Sequence, residues 1–235
     1  MKRLIGTILN GRTARKNTYK KSYSQCGEDL IIDFILEQIG VTQPTYIDIG
    51  AHHPFYLNNT AFFSSKGSTG INVEPDPYLF AHFLKERPKD TNLNVGVAER
   101  EGQQDFYIMS TPTMNTFSRE VADQLVANSG FAIKEVRKTP LLDLNSILRQ
   151  HNGGKFPDLF SLDVEGLDEQ IIRSIDFDRH APKVICIETL TYSENGNGVK
   201  NTALIELISS KGYMNYADTY INTIFVKENL WKKNI

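Results

Sequence analysis

The chain has 235 residues, of which 40% are hydrophobic and 23% charged, and its formal net charge is −2. This length suits one domain with a substantial core and leaves no room for a second catalytic domain. The two cysteines, Cys26 and Cys186, lie 160 positions apart, which indicates neither a disulfide framework nor a zinc cluster and favours a reducing cytoplasm.

Positive charge is concentrated at the amino terminus. Seven of the 26 Lys and Arg residues lie in residues 1–21, which carry no acid, so 19 basic and 28 acidic residues remain in the rest of the chain. This acidic body argues against a nucleic-acid-binding core. We predict that residues 1–21 form a solvated, mobile arm, with contact to an anionic membrane surface or another protein as the alternative. No apolar run reaches the length that crosses a bilayer, so we expect a cytoplasmic protein that is at most peripheral to a membrane.

Short apolar runs alternate with amphipathic stretches in the first half of the chain, as expected for strands and helices that follow one another. The pattern predicts, in order, a helix over 28–39 that ends at Gly40, strands at 46–49 and 70–73, a helix from Pro77 to Arg87, a short strand near 93–95 and a strand at 104–109. The last of these strands is expected to belong to a hairpin that turns at Glu101-Gly102.

The second half continues the alternation after an irregular stretch. Residues 110–132 are polar with one short helical pattern, which is typical of a cap or a substrate-facing insertion. We therefore predict a single domain over 22–235 with a cap-like insertion near 110–132. The elements predicted after it are a strand near 133–136, a helix at 142–150, strands at 159–162 and 184–187, a loop at 193–198, a helix at 203–211 and a strand pair at 213–217 and 223–226. The alternation indicates an α/β fold with a mainly parallel sheet, whose ligands bind beyond the carboxyl ends of the strands.

Acidic side chains cluster at the predicted strand ends. Because these ends meet at one edge of a parallel sheet, six carboxylates are expected to converge there: Asp48, Glu74, Asp76, Asp163, Glu165 and Glu188. A structural role is plausible for each acid taken singly, since Asp163 or Asp76 can cap a helix N-terminus. That explanation is weaker for the whole set.

The turn after the first strand narrows the choice of ligand. Glu74 lies 24 residues after Gly50, at the end of the second strand, where an acid accepts hydrogen bonds from a ribose diol. The turn itself reads Gly-Ala-His-His-Pro, with one glycine instead of the Gly-x-Gly-x-x-Gly pattern that seats a pyrophosphate, and no P-loop sequence occurs. We interpret this as a site for an adenosine cofactor without phosphate, S-adenosylmethionine. In this interpretation Gly50 lets the backbone approach the methionine portion, and Asp48 positions its amino end directly or through water.

Together these motifs resemble the FkbM family of S-adenosylmethionine-dependent methyltransferases over roughly residues 22–228. The matching segments are SQCGEDLIIDFIL at 24–36, YIDIGAHHPFYLNNT at 46–60, INVEPDP at 71–77, LNVGVAEREG at 93–102, TPLLDLNSIL at 139–148 and LFSLDVEGLDEQIIRSIDF at 159–177. The resemblance implies a class I, Rossmann-like methyltransferase fold, with a seven-stranded, mostly parallel sheet, helices on both faces and an antiparallel last strand. It also implies methylation of an oxygen, often a sugar or polyketide hydroxyl.

The resemblance further implies a set of cofactor-binding residues. Those that would line the pocket are Asp48, Gly50, Ala51, Asn59, Thr60, Glu74, Asn94, Val95 and Gly96, and those that would close it from the amino-terminal side are Ser24, Gln25 and Glu28.

Methyl transfer requires in-line alignment of the acceptor oxygen with the methyl group, and removal of a proton from a weakly acidic alcohol. His53 is a candidate base that takes this proton directly, since an unperturbed histidine has a pKa near neutrality. Asp163 and Glu165 rank above it as groups near the transferred methyl, with Glu188 close behind. Asp163 and Glu188 can alternatively share a divalent cation such as Mg²⁺, which would bind the substrate oxygen and lower its pKa. The predicted acceptor is a carbohydrate hydroxyl of a glycan, glycolipid or nucleotide-sugar, and the sequence predicts no oligomeric state.

Two other classes of protein stay open at this point. An NAD-dependent oxidoreductase would use the same sheet and ribose acid but needs room for a pyrophosphate, which the single-glycine turn disfavours. A non-catalytic adenosine-ligand-binding protein would keep the pocket without methyl transfer. Binding of NAD would select the first alternative, and binding of S-adenosylmethionine without turnover would select the second.

Overall fold

A computed structural model describes residues 20–164, 166–190 and 198–232. Outside the described residues lie the predicted basic arm up to residue 19, the candidate Glu165 and most of the predicted loop at 193–198. Within the described ranges, every helix is too short or too polar to span a membrane.

Helices and strands alternate along the described residues. The helices are α1 (Glu28–Gln38), α2 (Ala61–Ser65), α3 (Pro77–Glu86), α4 (Arg119–Asn128), α5 (Leu144–Asn152), α6 (Asp168–Arg173), α7 (Thr202–Ser210) and α8 (Glu228–Trp231), with a 3₁₀ turn at Pro112–Met114. The strands are β1 (Tyr46–Ile49), β2 (Gly70–Val73), β3 (Thr91–Leu93), β4 (Gly96–Val97), β5 (Gly102–Met109), β6 (Ile133–Leu142), β7 (Leu159–Leu162), β8 (Val184–Glu188), β9 (Tyr213–Asp218) and β10 (Asn222–Lys227).

Seven strands form the main sheet in the order β3-β2-β1-β7-β8-β10-β9. Strand β1 pairs in parallel with β2 on one side and β7 on the other, and Ile47 lies opposite both Ile71 and Phe160. The last strand, β10, inserts antiparallel between β8 and β9. This order confirms the predicted α/β class I methyltransferase fold, a mostly parallel seven-stranded sheet with an antiparallel last strand.

The core lies on both faces of this sheet, because the central strands are buried on both sides. Along β8, Ile185 and Ile187 belong to one apolar cluster, which includes residues of α5, α6 and α7. Val184 and Cys186 belong to the opposite cluster, which includes residues of α1 and α2. The two-residue alternation of a strand therefore supplies both cores, and Cys186 is a fully buried free thiol in one of them.

A second sheet of three strands lies in the order β4-β6-β5. Strand β5 pairs antiparallel with β6, while β4 pairs with β6 in parallel through Gly96 and Leu141. The predicted hairpin turn at Glu101-Gly102 is therefore wrong, because β4 and β5 flank β6 instead of pairing with each other. The strand predicted near 133–136 extends to Leu142. Most of its residues are exposed, so its sequence does not show the clear alternation of apolar and polar residues that predicts a strand.

Helix starts follow their capping residues. Asp76 accepts hydrogen bonds from the backbone N–H groups of Tyr78 and Leu79, which confirms it as the N-cap of α3. Asp143 caps α5 in the same way through Ser146 N, so this helix begins two residues later than predicted. Asp163 does not cap a helix, since α6 begins only at Asp168.

Candidate functional site

A cavity of about 520 Å³ opens at the carboxyl ends of β1, β2, β7 and β8. This volume falls within the range of small-molecule sites. The predicted site residues that line it are Gln25, Gly50, Glu74, Val95, Gly96, Asp163 and Glu188. The structure thus brings Glu74, which is predicted to bind ribose, and the catalytic candidates Asp163 and Glu188 into one cavity.

The turn after β1 requires glycine because the chain packs against itself there. Gly50 has φ of +78°, and its N–H donates to Val73 O at 3.0 Å. A Cβ at this position would lie 1.8 Å from the carbonyl oxygen of Asp163. This backbone contact brings the end of β7 against the end of β1 and so places Asp163 in the cavity. The prediction that Gly50 admits a ligand is untested, and the structure supplies a separate reason for the glycine.

Glu74 is buried at the end of β2 with both carboxylate oxygens engaged. Oε1 accepts a hydrogen bond from Asp76 N and Oε2 accepts one from His52 N, each at 2.7 Å. Burial raises the pKa of Glu74 to about 8 against the opposing effect of these two donors. Each carboxylate oxygen can accept more than one hydrogen bond, so the group keeps capacity for ligand hydroxyls in the cavity that it lines.

Asn94 acts on the backbone next to Glu74. Its side-chain amide donates to the carbonyl oxygens of Glu74 and Pro75, both at 2.9 Å. Asn94 itself does not line the cavity, whereas Val95 and Gly96 after it do. Its position therefore supports the turn that carries Glu74.

Asp163 and Glu188 form a carboxyl pair at the ends of the adjacent parallel strands β7 and β8. Both side chains line the cavity, and hydrogen bonding with Glu188 is one of the influences on the pKa of Asp163. The Asp163 side chain is accessible from the cavity, yet the surrounding protein removes it from bulk water. This desolvation, followed by the charge of Asp168, raises the pKa of Asp163 to about 6, while the bond to Glu188 acts in the opposite direction. The Asp163 residue is exposed toward the cavity, and water inside a cavity solvates a charge less well than bulk water does.

Asp168 holds the loop that follows β7. Its two carboxylate oxygens accept from Val164 N at 3.3 Å and from Gly166 N at 3.2 Å. The loop backbone next to Asp163 is thereby tied to the first residue of α6.

Asp48 lies beneath the cavity and does not line it. Its Oδ2 accepts hydrogen bonds from Thr60 Oγ1 at 2.8 Å and Asn58 Nδ2 at 3.1 Å. The buried Arg87 donates to Thr60 and Asn58 and also pairs with Asp90 at 2.8 Å. This network anchors the turn between β1 and α2 to α3, so Asp48 and Thr60 shape the site from below, and their direct contact with a cofactor stays a prediction.

Of the predicted cofactor residues before β1, one lines the cavity and another supports the surrounding fold. Gln25 lines the cavity, whereas Glu28 accepts from Thr219 Oγ1 at 2.7 Å and Asn222 Nδ2 at 3.0 Å. Burial acts to raise the pKa of Glu28, but its hydrogen bonds outweigh that effect and hold the pKa below its ordinary value. The start of α1 is thus fastened to the β9–β10 turn and to the start of β10. The predicted cofactor residues that do not line the cavity are Ser24, Glu28, Asp48, Ala51, Asn59, Thr60 and Asn94.

Residues 112–117 form a wall of the cavity that sequence reasoning did not assign individually. Asn115 fixes this wall, because its Nδ2 donates to Asp76 Oδ2 at 2.7 Å and its Oδ1 accepts from Met109 N at 2.8 Å. Asp76 therefore caps α3 and anchors the insertion at the same time. The only signal in the sequence was the polar, irregular character of residues 110–132.

The two histidines of the turn differ in position. His52 lines the cavity in a left-handed conformation with φ of 54°, and its buried Nδ1 has no hydrogen-bond partner among the described residues. His53 does not line the cavity and lies beside His82, with ring centroids 5.5 Å apart. Burial and then His82 lower the pKa of His53. The structure thus does not bring the predicted base His53 into the cavity that holds the carboxyl pair.

The metal prediction has only two ligands in the described part of the chain. Asp163 and Glu188 supply them, and no group of three or more His, Cys, Asp or Glu side chains in the described residues could hold a metal ion. A Mg²⁺ ion shared by this pair stays a prediction.

Comparison with known proteins identifies the family. A model of the methyltransferase FkbM domain matches residues 48–214. A search of curated proteins found no match. Among solved structures, a TehB-like SAM-dependent methyltransferase from Corynebacterium glutamicum is similar at 12% identity and a TM-score of 0.43, over 86% of this chain and 87% of the other. The precorrin-6y C5,15-methyltransferase from Geobacter metallireducens is similar at 13% identity and a TM-score of 0.36, over 84% and 89%. Because the family match extends over more than half of the sequence, the chain belongs to the FkbM methyltransferase domain family of S-adenosylmethionine-dependent methyltransferases.

Proposed function

We propose that the protein is an O-methyltransferase that transfers a methyl group from S-adenosylmethionine to a carbohydrate hydroxyl. The observation that carries this proposal is the pair of carboxyl groups, Asp163 and Glu188, at the ends of adjacent strands in the same cavity as Gly50 and Glu74. An alcohol is a weak nucleophile while it keeps its proton, so transfer to oxygen needs a group that takes this proton. The carboxyl pair is such a group.

The cavity residues fit the cofactor that the family uses. Glu74 has free acceptor capacity for the two ribose hydroxyls, and Leu79, Val95 and Val97 offer an apolar wall for an adenine ring. The end of the cavity at Gly50 and Gln25 would hold the methionine portion. When bound, S-adenosylmethionine supplies an electrophilic methyl group on a positively charged sulfur.

The pair would act as a proton acceptor in a defined way. If the two carboxyl groups hold one proton between them, the pair still carries one negative charge, and this charge would accept a second proton from a hydroxyl placed in the cavity. Asp168 and the contact at Gly50 hold the Asp163 backbone on both sides. These contacts fix the base before the acceptor arrives, so little reorganisation is needed at the moment of reaction.

A carbohydrate acceptor agrees with the lining of the cavity. Gln25 and Thr113 contribute neutral hydrogen-bonding groups, and none of the described lining residues is Lys or Arg. A hydroxyl-rich, uncharged ring suits such a lining better than a phosphate does. We therefore favour a neutral sugar unit of a glycan or glycolipid over a nucleotide-sugar.

The test is methyl transfer from S-adenosylmethionine to a panel of methyl pyranosides and oligosaccharides, with products located by mass spectrometry. We expect a methyl ether as product and a kcat lower by about 10²–10⁴-fold for Asp163→Asn. The control Asp178→Asn, an exposed acid in the connection that precedes β8, should keep the full rate. Methylation of nitrogen or carbon only, or an unchanged rate for Asp163→Asn, would contradict the proposal.

Two arms of the same assay separate the alternatives. Loss of turnover in EDTA with recovery in Mg²⁺ would assign the pair to a metal instead of direct proton transfer. Binding of S-adenosylmethionine without turnover on any acceptor would select the non-catalytic binding protein. Family membership favours methyl transfer over the NAD-dependent oxidoreductase, which a titration with NAD tests directly.

A further inference from the structure

The turn between β1 and α2 presents an aromatic ring to the mouth of the cavity. Tyr56 lines the cavity, yet 61% of its surface stays exposed. Single exposed aromatic residues are common on protein surfaces and need no explanation by themselves. The backbone around Tyr56 makes this one different.

Two non-glycine residues of this turn adopt the left-handed conformation, His52 with φ of 54° and Leu57 with φ of 52°. Such residues are held in place only where the surrounding structure determines them, and they concentrate at functional sites. Here His52 N donates to Glu74, and Asn58 Nδ2 donates to Ala51 O at 2.9 Å. Asn58 N also donates to the Tyr23 carbonyl at 3.1 Å. Both ends of the turn are therefore fixed, and Tyr56 projects from a rigid support.

Neighbouring rings set the orientation of Tyr56. His52 and His53 lie at centroid distances of 6.4 Å and 6.5 Å, the second nearly edge-on at 80°. The adjacent Phe55 packs on Tyr23 at 6.0 Å. These contacts restrict the position of the Tyr56 ring and leave most of its surface accessible at the cavity mouth.

We propose that Tyr56 is the platform for the acceptor, with its ring stacked on the C–H face of the pyranose that carries the hydroxyl to be methylated. This inference rests on the proposed function and narrows its substrate class to a pyranose. A pyranose has an apolar C–H face and a hydroxylated edge, so it matches an aromatic face beside neutral hydrogen-bonding groups. The same cavity provides such a group in Gln25, and the carboxyl pair lies in it as well.

The test compares Tyr56→Ala and Tyr56→Phe with the control Tyr78→Ala. Tyr78 is equally exposed at 61% but does not line the cavity, so its loss reports the effect of removing a surface ring. The probes are the methyl pyranosides of glucose, galactose, mannose and rhamnose. Their binding is measured by saturation-transfer difference NMR with S-adenosylhomocysteine present, and their methylation by acceptor kinetics. We expect Tyr56→Ala to raise the acceptor KM by about tenfold, and Tyr56→Phe and Tyr78→Ala to leave it within about threefold. The affinity for S-adenosylhomocysteine and the Tm should stay unchanged in all three variants.

The outcomes separate this inference from the proposed function. Methylation of a pyranoside with an unchanged acceptor KM in Tyr56→Ala would overturn the inference and leave the proposed function standing. A Tyr56-dependent NMR contact to the pyranose C–H protons without any methylation would support the stacking of a pyranose on Tyr56 and contradict the proposed function. Weaker binding of S-adenosylhomocysteine to Tyr56→Ala would assign the ring to the cofactor and overturn the inference, as would a wild-type protein that binds no pyranoside.

Discussion

Replacement of Gly50 by alanine tests how the site is assembled. The new Cβ would meet the Asp163 carbonyl oxygen at 1.8 Å, and the backbone already has φ of +78°. The left-handed conformation costs an alanine about 1–2 kcal/mol. Relief of the overlap adds about 1–3 kcal/mol, as in other overpacked positions, so Gly50→Ala should lower the free energy of unfolding by about 2–5 kcal/mol.

Gly40 provides a matched control, since its φ is +80° and a Cβ there would meet nothing within 4 Å. Gly40→Ala should therefore show the conformational cost alone, about 1–2 kcal/mol. Urea unfolding followed by the fluorescence of Trp231 measures both variants. With a slope of about 2–3 kcal/mol/M, Gly50→Ala should lower the urea midpoint by about 0.7–2.5 M and Gly40→Ala by about 0.3–1 M. Equal midpoints would refute the contact between the ends of β1 and β7 as the reason for this glycine.

Three further predictions follow from buried polar groups near the site. Glu74→Ala should weaken S-adenosylhomocysteine binding about 10–100-fold. The affinity of the wild-type protein should rise between pH 6 and pH 8, because ribose hydroxyls donate to the ionised carboxylate of Glu74, whose pKa is about 8. Calorimetry that shows no pH dependence of this affinity would contradict the prediction. Asp90→Ala should lower the free energy of unfolding by about 3–5 kcal/mol, because it leaves the buried Arg87 without its charged partner. Asp123→Ala breaks an exposed pair with Arg119 and should lower it by less than about 1 kcal/mol, so comparable urea midpoints would contradict the prediction. Asn115→Ala should release the insertion from Asp76 and speed proteolysis within residues 110–118, and an unchanged cleavage rate would show that this hydrogen bond does not hold the wall.

The central strands were predictable because each carries a strong local signal. β1, β2 and β7 match their predicted bounds, since each is a short apolar run between turn residues. α2 and α6 were not predicted, because they have five and six residues and no side-chain cap. Local signals of that length do not distinguish a helix from a turn.

The acids at the strand ends could be predicted from the sequence, whereas most residues that hold the site in place could not. Glu74, Asp163 and Glu188 follow strands, and the parallel-sheet rule alone brings them to one edge. The hydrogen bonds that engage Asp48 come from Asn58 and Thr60, which Arg87 fixes from almost 30 residues away, and no spacing rule encodes that contact. The cavity wall at 112–117 follows β5, which pairs with β6. The sequence predicted instead a hairpin that turns at Glu101-Gly102, so the position of this wall could not be predicted.

The most direct test of the account is a crystal structure of the protein with S-adenosylhomocysteine. We expect the nucleoside in the cavity, with its ribose hydroxyls donating to Glu74 and its sulfur facing the Asp163–Glu188 pair. A ligand bound elsewhere, or one whose sulfur faces away from the carboxyl pair, would contradict the central claim.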